Sequence, residues 1–379
     1  MKLNQLRWNI NGEWQTLLAQ PLIPPPQLIL VFGETSLIKD PKPIEKLLSL
    51  YPGAKVFGCS TAGEISGSQV LDDTLVATAI HFESSSIKIS SEDIYHVGDS
   101  MYVGRSLASS LEKEGLVHAF VLSDGLTVNG SALVEGMLQE LPANVTITGG
   151  LSGDKDRFQE TLVFCNGKPE KNKVTILGLY GDKLKVGYGS FGGWDPFGPE
   201  RLVTRSDGNV LYELDGKSCL GLYKTYLGDH AKGLPATALL FPLCIRSAQK
   251  NSKLVRTILS VNEDDQSMIF AGDIPEGSYA QFMKANFNRL IDGAIDAAKM
   301  SCSSMNNVPA QLAVLISCVG RKMVLKQRVE EEVEGVHDIL GEQTLLSGFY
   351  SYGEMSPSSI GGTSELHNQT MTITTFTEN

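Results

Sequence analysis

The sequence predicts a mixed α/β protein: two domains of mixed β-sheets, covered by helices and built from repeated β-α-β units. Short apolar runs of strand length alternate with amphipathic stretches of helical spacing along the whole chain. A Gly-x-x-[Ser/Thr]-x-Gly-Glu pattern occupies residues 58–64 and again residues 348–354, and a one-residue-shorter version ending in Asp occupies residues 149–154. Each copy follows an apolar strand, an amphipathic helix and a short strand. We therefore expect one unit to occur three times, although small residues also recur in unrelated tight turns.

The composition is that of a globular protein with an acidic balance. The 379 residues are 42% hydrophobic, which is enough for two domains with cores. Lys and Arg number 32 against 43 Asp and Glu, and the net charge of -11 disfavours nucleic acid and anionic membranes as partners. We see neither a membrane-spanning run nor a signal-peptide pattern, and we expect a cytoplasmic protein without membrane insertion. The six scattered cysteines predict reduced, buried thiols.

Changes in composition along the chain predict the domain boundaries. Residues 1–26 form an N-terminal lead-in that ends in three prolines. The first domain spans residues 27–227, residues 228–236 form a linker, and the second domain spans residues 237–379.

The elements of the first domain follow from periodicity and caps. Asp40 and Pro41 open one helix, Asp99 or Ser100 caps a second, and Asn129 caps a third. Apolar runs predict strands at residues 28–32, 55–58, 74–82, 87–90, 117–123, 145–148, 161–165, 174–180 and 185–188.

Residues 187–199 alternate glycine with aromatic residues and contain two prolines, so we expect neither a helix nor a long strand there. The aromatic rings of this segment, including that of Trp194, either line an apolar pocket or plug the domain junction. Further along, the sequence predicts strands at 201–205 and 210–214, a helix ending at 228, a strand pair across 262–265, a helix capped by 277–278, a strand at 312–319, a helix at 323–338 and a last strand at 370–374.

Several motifs together resemble the FIST family, a two-part prokaryotic sensory module with an N-terminal and a C-terminal FIST domain. They occur in the family's order at residues 58–64, 149–154, 194–199, 209–214, 348–354 and 365–370. The resemblance implies a small-ligand sensor rather than an enzyme, signalling through a separate partner such as a histidine kinase. Stand-alone members of the family include haem-binding nitric-oxide sensors, so the cofactor is open, with haem as one candidate.

The three loops supply most of the candidate ligand-binding residues. If the units stack symmetrically, Glu64 and Glu354 could face one cavity and bind an ammonium or guanidinium group; otherwise they are exposed loop acids. A hydrolase that uses the Ser and Glu side chains is the alternative, but neither Ser60 nor Ser351 lies in a nucleophile elbow. The full candidate set is Ser60, Thr61, Glu64, Ser152, Asp154, Trp194, Ser351, Tyr352 and Glu354.

Histidine is the candidate haem ligand. His367 alternates with Met371 and Ile373 in a predicted strand, so its side chain should face inward, and we favour it over His81. An inward histidine is also a common hydrogen-bonded core residue.

Residues 187–192 match the Gly-x-Gly-x-x-Gly pattern of dinucleotide sites. No helix pattern follows the match, so we reject a dinucleotide site there.

Overall fold

The computed structural model describes residues 1–9, 11–20, 22–165, 168–234, 236–246 and 253–378. The first part of the chain forms β1 (Lys2–Trp8), β2 (Trp14–Leu18), β3 (Leu28–Gly33), α1 (Thr35–Lys39), α2 (Pro41–Leu50), β4 (Lys55–Ser60), β5 (Glu64–Ser66), β6 (Gln69–Leu71) and β7 (Leu75–His81). The second part forms β8 (Ser86–Asp93), α3 (Ser100–Ser109), β9 (Leu116–Ser123), α4 (Gly130–Glu140), β10 (Thr146–Leu151), β11 (Val163–Cys165), β12 (Lys168–Glu170) and β13 (Lys173–Tyr180).

The rest of the chain is longer because it holds an inserted sheet. Its elements are β14 (Leu184–Phe191), β15 (Asp195–Asp207), β16 (Val210–Leu214), β17 (Lys217–Ser218), α5 (Cys219–Leu227), β18 (Leu243–Arg246), β19 (Lys253–Arg256), β20 (Ile258–Asn262), β21 (Ser267–Phe270), β22 (Tyr279–Lys284), α6 (Phe287–Ser304), β23 (Leu312–Cys318), α7 (Val319–Leu325), α8 (Val329–Leu340), β24 (Leu345–Ser351), β25 (Gly353–Pro357), β26 (Ser364–His367) and β27 (Met371–Glu378).

Three units of the same topology form the core. The strand orders are β4-β3-β7-β1, β10-β9-β13-β8 and β24-β23-β27-β14. In each unit the first two strands of that order are parallel, joined by a helical connection, and the other pairings are antiparallel. The predicted mixed α/β fold with repeated β-α-β units is therefore confirmed.

The units exchange hairpins. After its second parallel strand, each unit extends a hairpin onto the matching strand of a neighbouring unit: β5 pairs with β24, β25 with β10, and β11 with β4. Every one of the three sheets therefore contains strands from two units. The residues of the predicted N-terminal lead-in also take part, because β1 pairs with β7 in the first sheet.

The inner faces of the three sheets enclose one apolar core. Alternate residues of the central strands point into it, among them Leu30, Phe120, Val314 and Phe376. This core is almost filled, and a void of about 20 Å³ is lined by residues of all three sheets. The outer faces pack against the helices.

The fourth sheet, which we call the inserted sheet, contains β15 to β22 and packs on α5. It is placed between β14 and α6 of the third unit. The predicted linker lies here: the turns Gly228–Gly233 and Ala236–Leu240 are 3-10 helical, and residue 235 is outside the described part of the chain.

The expectation for residues 187–199 was wrong, since β14 and β15 run through most of this segment. The glycines permit close approach of α6: a Cβ at Gly187 would overlap the carbonyl oxygen of Ser301, and one at Gly189 that of Ala297. A strand that lies directly under a helix needs small residues, and the same small residues are typical of a loop in the sequence.

Two predicted helices also required correction. Residues 279–284 form β22, with Ala280 and Phe282 buried in the core of the inserted sheet, and α6 begins only after the cap Asn286. The helix predicted at 323–338 is divided into α7 and α8 at Lys326, whose φ of 52° is left-handed. No helix in the described part of the chain is long and apolar enough to cross a membrane.

Candidate functional site

The three Gly/Ser/acid loops occupy equivalent positions at one end of the core. Each begins in the last residues of the second parallel strand of its unit, so all three lie at the carboxyl ends of the parallel strands, where α/β proteins commonly bind ligands. The first glycines, Gly58, Gly149 and Gly348, are in equivalent register positions, and a Cβ on any of them would overlap a carbonyl oxygen of the neighbouring parallel strand.

The loops also contact one another directly. The amide of Gly153 donates to the carbonyl of Ser60 at 2.9 Å, and the amide of Ala62 donates to the carbonyl of Tyr350 at 2.8 Å. The amide of Tyr352 donates to the carbonyl of Leu151 at 3.3 Å and closes the cycle. We call this joined surface the loop face.

Glu64 and Glu354 have matching environments. The Thr61 hydroxyl donates to Glu64 Oε1 at 2.6 Å, and the Ser351 hydroxyl donates to Glu354 Oε1 at 2.7 Å. Both carboxyl groups are buried, and burial raises the pKa of Glu64 to about 8 and that of Glu354 to about 7. The amide and hydroxyl of Thr370 also donate to Glu354 Oε2. Both acids lie in the interior, each in its own site.

Asp154 has a different role from the two glutamates. Its carboxylate accepts the amides of residues 158, 159 and 160, and the Tyr352 hydroxyl also donates to it. Burial and this contact raise the pKa of Tyr352. The Tyr352 ring stacks on Phe158 at a centroid distance of 4.4 Å and an interplanar angle of 17°. Asp154 thus fixes a loop that places the exposed ring of Phe158 on the largely buried ring of Tyr352.

The candidate serines are closed off from solvent. Ser60, Ser152 and Ser351 each have no exposed surface. The Ser60 hydroxyl accepts the Leu162 amide at 2.9 Å, and the Ser152 hydroxyl donates to the Ser123 carbonyl at 2.8 Å. These hydroxyls complete the backbone hydrogen bonding of the turns, and none of them is accessible to a substrate in this conformation.

A cleft of about 170 Å³ opens where the loop face meets the inserted sheet, and we call it the aromatic cleft. Of the candidate residues, Tyr352 lies in its wall. The remaining lining residues are Val97, Gly125, Leu126, Val128, Asn129, Leu151, Phe158, Asn209, Leu259, Phe270, Ala271 and Gly272.

The rim of the aromatic cleft exposes apolar side chains. Val97, Leu126, Phe158 and Leu259 are between 39% and 51% exposed, although they come from four separate segments. Exposed apolar groups that converge on one cleft are a common feature of binding surfaces. Sequence reasoning missed these residues, because single apolar residues in loops carry no periodic signal. The sequence predicted Asn129 only as a helix cap. In the structure its side-chain amide also donates to Asp273 Oδ1 at 2.8 Å.

Trp194 lies apart from the aromatic cleft. It is 5% exposed and packs with Met283, Leu290 and Val324 between the inserted sheet and the helices of the third unit. Its indole nitrogen donates to the Gln369 carbonyl at 2.8 Å. In this structure the ring plugs a junction.

Two buried amide side chains lie close to Glu354. Asn368 and Gln369 have no exposed surface, and their side-chain amide nitrogen and oxygen atoms have no hydrogen-bond partner among the described residues. Gln369 packs on Gly320 and adopts a left-handed φ of 62°. Unsatisfied buried amides are costly, and the sequence contains no local signal that would distinguish them from ordinary loop residues.

Each of the two candidate histidines has one ring nitrogen in a hydrogen bond to a backbone carbonyl. His367 Nε2 lies 2.9 Å from the carbonyl oxygen of Ser356, which only accepts, so this nitrogen carries a proton rather than a free lone pair. His81 Nδ1 similarly contacts the Pro25 carbonyl at 3.1 Å. Both ring nitrogens of His118 contact threonine hydroxyls at 2.8 Å. The haem expectation therefore gains no support from these contacts and stays a prediction.

Comparison with known proteins gives the family. The FIST N domain model matches residues 27–217, and the FIST C domain model matches residues 219–357. The chain belongs to the FIST family. FIST domains are small-ligand sensor domains, and in this FIST protein the loop face combines loops from both matched regions.

Relatives of this FIST protein occur in archaea and bacteria. It is 25% identical over 331 residues to an uncharacterized protein of Methanocaldococcus jannaschii, a match that includes 78% of this chain and 61% of that relative. It is 21% identical over 337 residues to an uncharacterized protein found in two strains of Mycobacterium tuberculosis, with 86% and 84% of the chains covered. A solved cyanuric acid hydrolase from A. caulinodans aligns over 94% of this chain and 91% of its own at 8% identity, with a TM-score of 0.37.

Proposed function

We propose that this FIST protein binds a small, mainly apolar ligand in the aromatic cleft and passes its bound state to a separate signalling protein. The observation that carries the proposal is the pair Phe158 and Tyr352, a stacked aromatic surface held in place by Asp154 at the rim of a cleft. Ligand sites are mostly apolar with a few polar groups, and here Asn129 and Asn209 supply the polar groups.

The position of the cleft supplies a route for signalling. One wall belongs to the loop face and the other to the inserted sheet. Beside the cleft, polar contacts join the inserted sheet to the core units: Asn129 donates to Asp273, and Arg256 donates to the Leu366 carbonyl at 3.0 Å. A ligand that touches both walls favours one arrangement of the inserted sheet, and a partner that binds this sheet would distinguish the two states.

The test begins with mass spectrometry of compounds that co-purify with the full chain, followed by calorimetric titration of the compound found. Phe158→Ala removes half of the aromatic stack, and we expect binding to weaken by about tenfold. Phe191→Ala is the matched control, because Phe191 is 41% exposed and lies outside the cleft. Equal affinity for wild type and Phe158→Ala would place the ligand elsewhere.

For the partner we propose a cytoplasmic histidine kinase, which is the arrangement that the family resemblance implies. The measurement is kinase autophosphorylation with and without this FIST protein, repeated with the ligand present. A ligand-dependent change in autophosphorylation supports the proposal, and an unchanged rate excludes that kinase as the partner.

Haem-dependent sensing of nitric oxide is a special case with its own test. Protein expressed with a haem supply either shows a Soret band or does not, and His367→Ala identifies the ligand if the band appears. Loss of the band in folded His367→Ala protein would assign the iron to that residue, after rearrangement of the contact with Ser356.

A further inference from the structure

A second cleft lies at the position that the repeat makes equivalent to the aromatic cleft. In the aromatic cleft, the loop of the third unit faces the start of α4 in the second unit, through Tyr352, Gly125 and Val128. One unit further round, the loop of the first unit faces α7 of the third, and the equivalent residues Ala62, Val319 and Lys322 all line a cleft of about 370 Å³. We call this the lysine cleft.

The lining of the lysine cleft combines an apolar part with three cations. Its apolar residues are Ala62, Val70, Val319, Met323 and Val329. Its charged residues are Lys155, Lys322, Lys326, Asp72 and Asp156. The volume falls within the range of about 300–1,000 Å³ that is typical of small-molecule sites.

Two of the ammonium groups are held in place. Lys322 Nζ lies 2.9 Å from the Ala62 carbonyl and 2.5 Å from Asp72 Oδ1, and its side chain is 17% exposed. Lys155 Nζ lies 2.5 Å from Asp73 Oδ1. Lys326 is exposed and forms no ion pair within the described ranges of the chain. Three lysines thus converge on one cleft, two of them paired with aspartates, while Lys326 and the carboxylate of Asp156 have no ion-pair partner among the described residues.

We propose that the lysine cleft is a second ligand site, which binds a small organic anion with its carboxylate among the three ammonium groups. The short aliphatic part of the anion lies against Val70, Val319 and Met323. Lys326 supplies the charge that is not already neutralised, and Lys322 exchanges part of its contact with Asp72 for the ligand. This site is separate from the aromatic cleft in position and in ligand chemistry.

A buried carboxyl close to Lys322 gives the proposed site a second readout. Glu64 follows the loop that contains Ala62, and its Oε2 is buried without a hydrogen-bond partner among the residues that the structure describes. Burial raises the pKa of Glu64, Lys322 lowers it, and Asp72 raises it. A bound anion adds negative charge close to Lys322 and Glu64. It therefore raises the proton affinity of Glu64, and anion binding near pH 8 is accompanied by proton uptake.

The experiment is calorimetric titration of the full chain with hexanoate at pH 8, in two buffers of different ionisation enthalpy. We expect saturable binding whose heat depends on the buffer. Lys326→Met should weaken the affinity by about tenfold without affecting folding, because this side chain is exposed and unpaired. Lys88→Met is the control, since Lys88 is paired with Glu112 and lies outside the lysine cleft.

Titration with a second anion and of a second variant tests the apolar contacts and the coupling to Glu64 separately. Inorganic phosphate should bind more weakly than hexanoate, because it leaves the apolar floor uncovered. Glu64→Gln should retain hexanoate binding but lose the buffer-dependent heat. Absence of hexanoate binding to the wild type, or equal affinity in wild type and Lys326→Met, would overturn the site. Buffer-independent heat in the wild type would overturn the coupling to Glu64.

Discussion

Replacement of Glu64 by Gln should change the pH dependence of stability in a defined direction. Glu64 is 1% exposed, and its carboxyl accepts the Thr61 hydroxyl. Gln is close to the neutral acid in shape and keeps an oxygen for that hydroxyl, but it cannot ionise. The substitution therefore isolates the cost of ionising a buried carboxyl.

The size of the effect follows from the pKa difference. The carboxyl has a pKa of about 8 in the folded protein, raised from an ordinary value of 4.5 by burial and also by Asp72, whereas Thr61 and Lys322 lower it. The folded state holds the proton more tightly than the unfolded state, so the stabilisation is complete below pH 4.5 and is lost as the pH rises to about 8. At about 1.4 kcal/mol per pH unit this interval corresponds to about 5 kcal/mol.

The assay is urea unfolding of wild type and Glu64→Gln at pH 5, 6, 7 and 8, followed by circular dichroism. The free energy of unfolding of the variant, relative to wild type, should rise by about 1.4 kcal/mol for each pH unit in this range. All other titrating groups are shared and cancel in the difference. Glu45→Gln, at an exposed position on α2, is the control and should give a difference that does not vary with pH.

A difference between wild type and Glu64→Gln that is constant from pH 5 to pH 8 would refute the reasoning. It would mean that Glu64 has the same proton affinity in the folded and unfolded states. Glu354→Gln should show the same sign, with its window ending near pH 7, since burial raises the pKa of Glu354 to about 7.

Three further predictions test the architecture. Alanine in place of Gly58, Gly149 or Gly348 should destabilise the protein by about 1–3 kcal/mol in urea unfolding, because its Cβ would overlap a neighbouring carbonyl oxygen. Gly98→Ala is the control and should have little effect, since a Cβ at Gly98 meets open space. Arg321→Met should cost about 3–5 kcal/mol by the same assay, since it leaves the fully buried Glu332 without its cation, and a smaller loss would mean that water reaches this carboxylate. Separate expression of residues 1–227 and 228–379 should give two unfolded fragments by circular dichroism that fold when co-expressed, and a folded fragment on its own would contradict the importance of hairpin exchange.

Local signals predicted a large part of the fold, because they depend on a few neighbouring residues. Asn129 caps α4 as expected, with its oxygen accepting the Ala132 amide, and Asp40 caps α2. The errors occurred where contacts with a distant part of the chain determine the local secondary structure. β14 needs glycines because α6 lies on it, and β22 is a strand because β15 and β18 bind its two edges.

The meeting of the three loops was predictable from the sequence, but the burial of their side chains was not. The three loops were recognised from their glycines and acids, and they do meet at one end of the core. Their side chains are nevertheless mostly buried, because the exchanged hairpins cover them, and pairing between distant units leaves no trace in a local motif. The aromatic cleft was missed for the same reason: Phe158 and Leu259 become neighbours only when the inserted sheet docks.

Hairpin exchange gives the loop face a mechanical connection to the inserted sheet. The loop that carries Tyr352 continues into β25, which pairs with β10 of the second unit on one edge and with β26 on the other. The carbonyl of Leu366 in β26 accepts a hydrogen bond from Arg256, a buried residue whose described hydrogen bonds are all to carbonyl oxygens. Burial lowers the pKa of Arg256 to about 10, so its guanidinium stays charged at neutral pH and depends on these carbonyls. If a ligand displaces the Tyr352 loop as proposed, the strand that presents Leu366 would move with it, and the Arg256 side chain would have to follow or lose an acceptor. We therefore propose that the inserted sheet is coupled to the cleft through the energetic cost of leaving a buried cation unsatisfied.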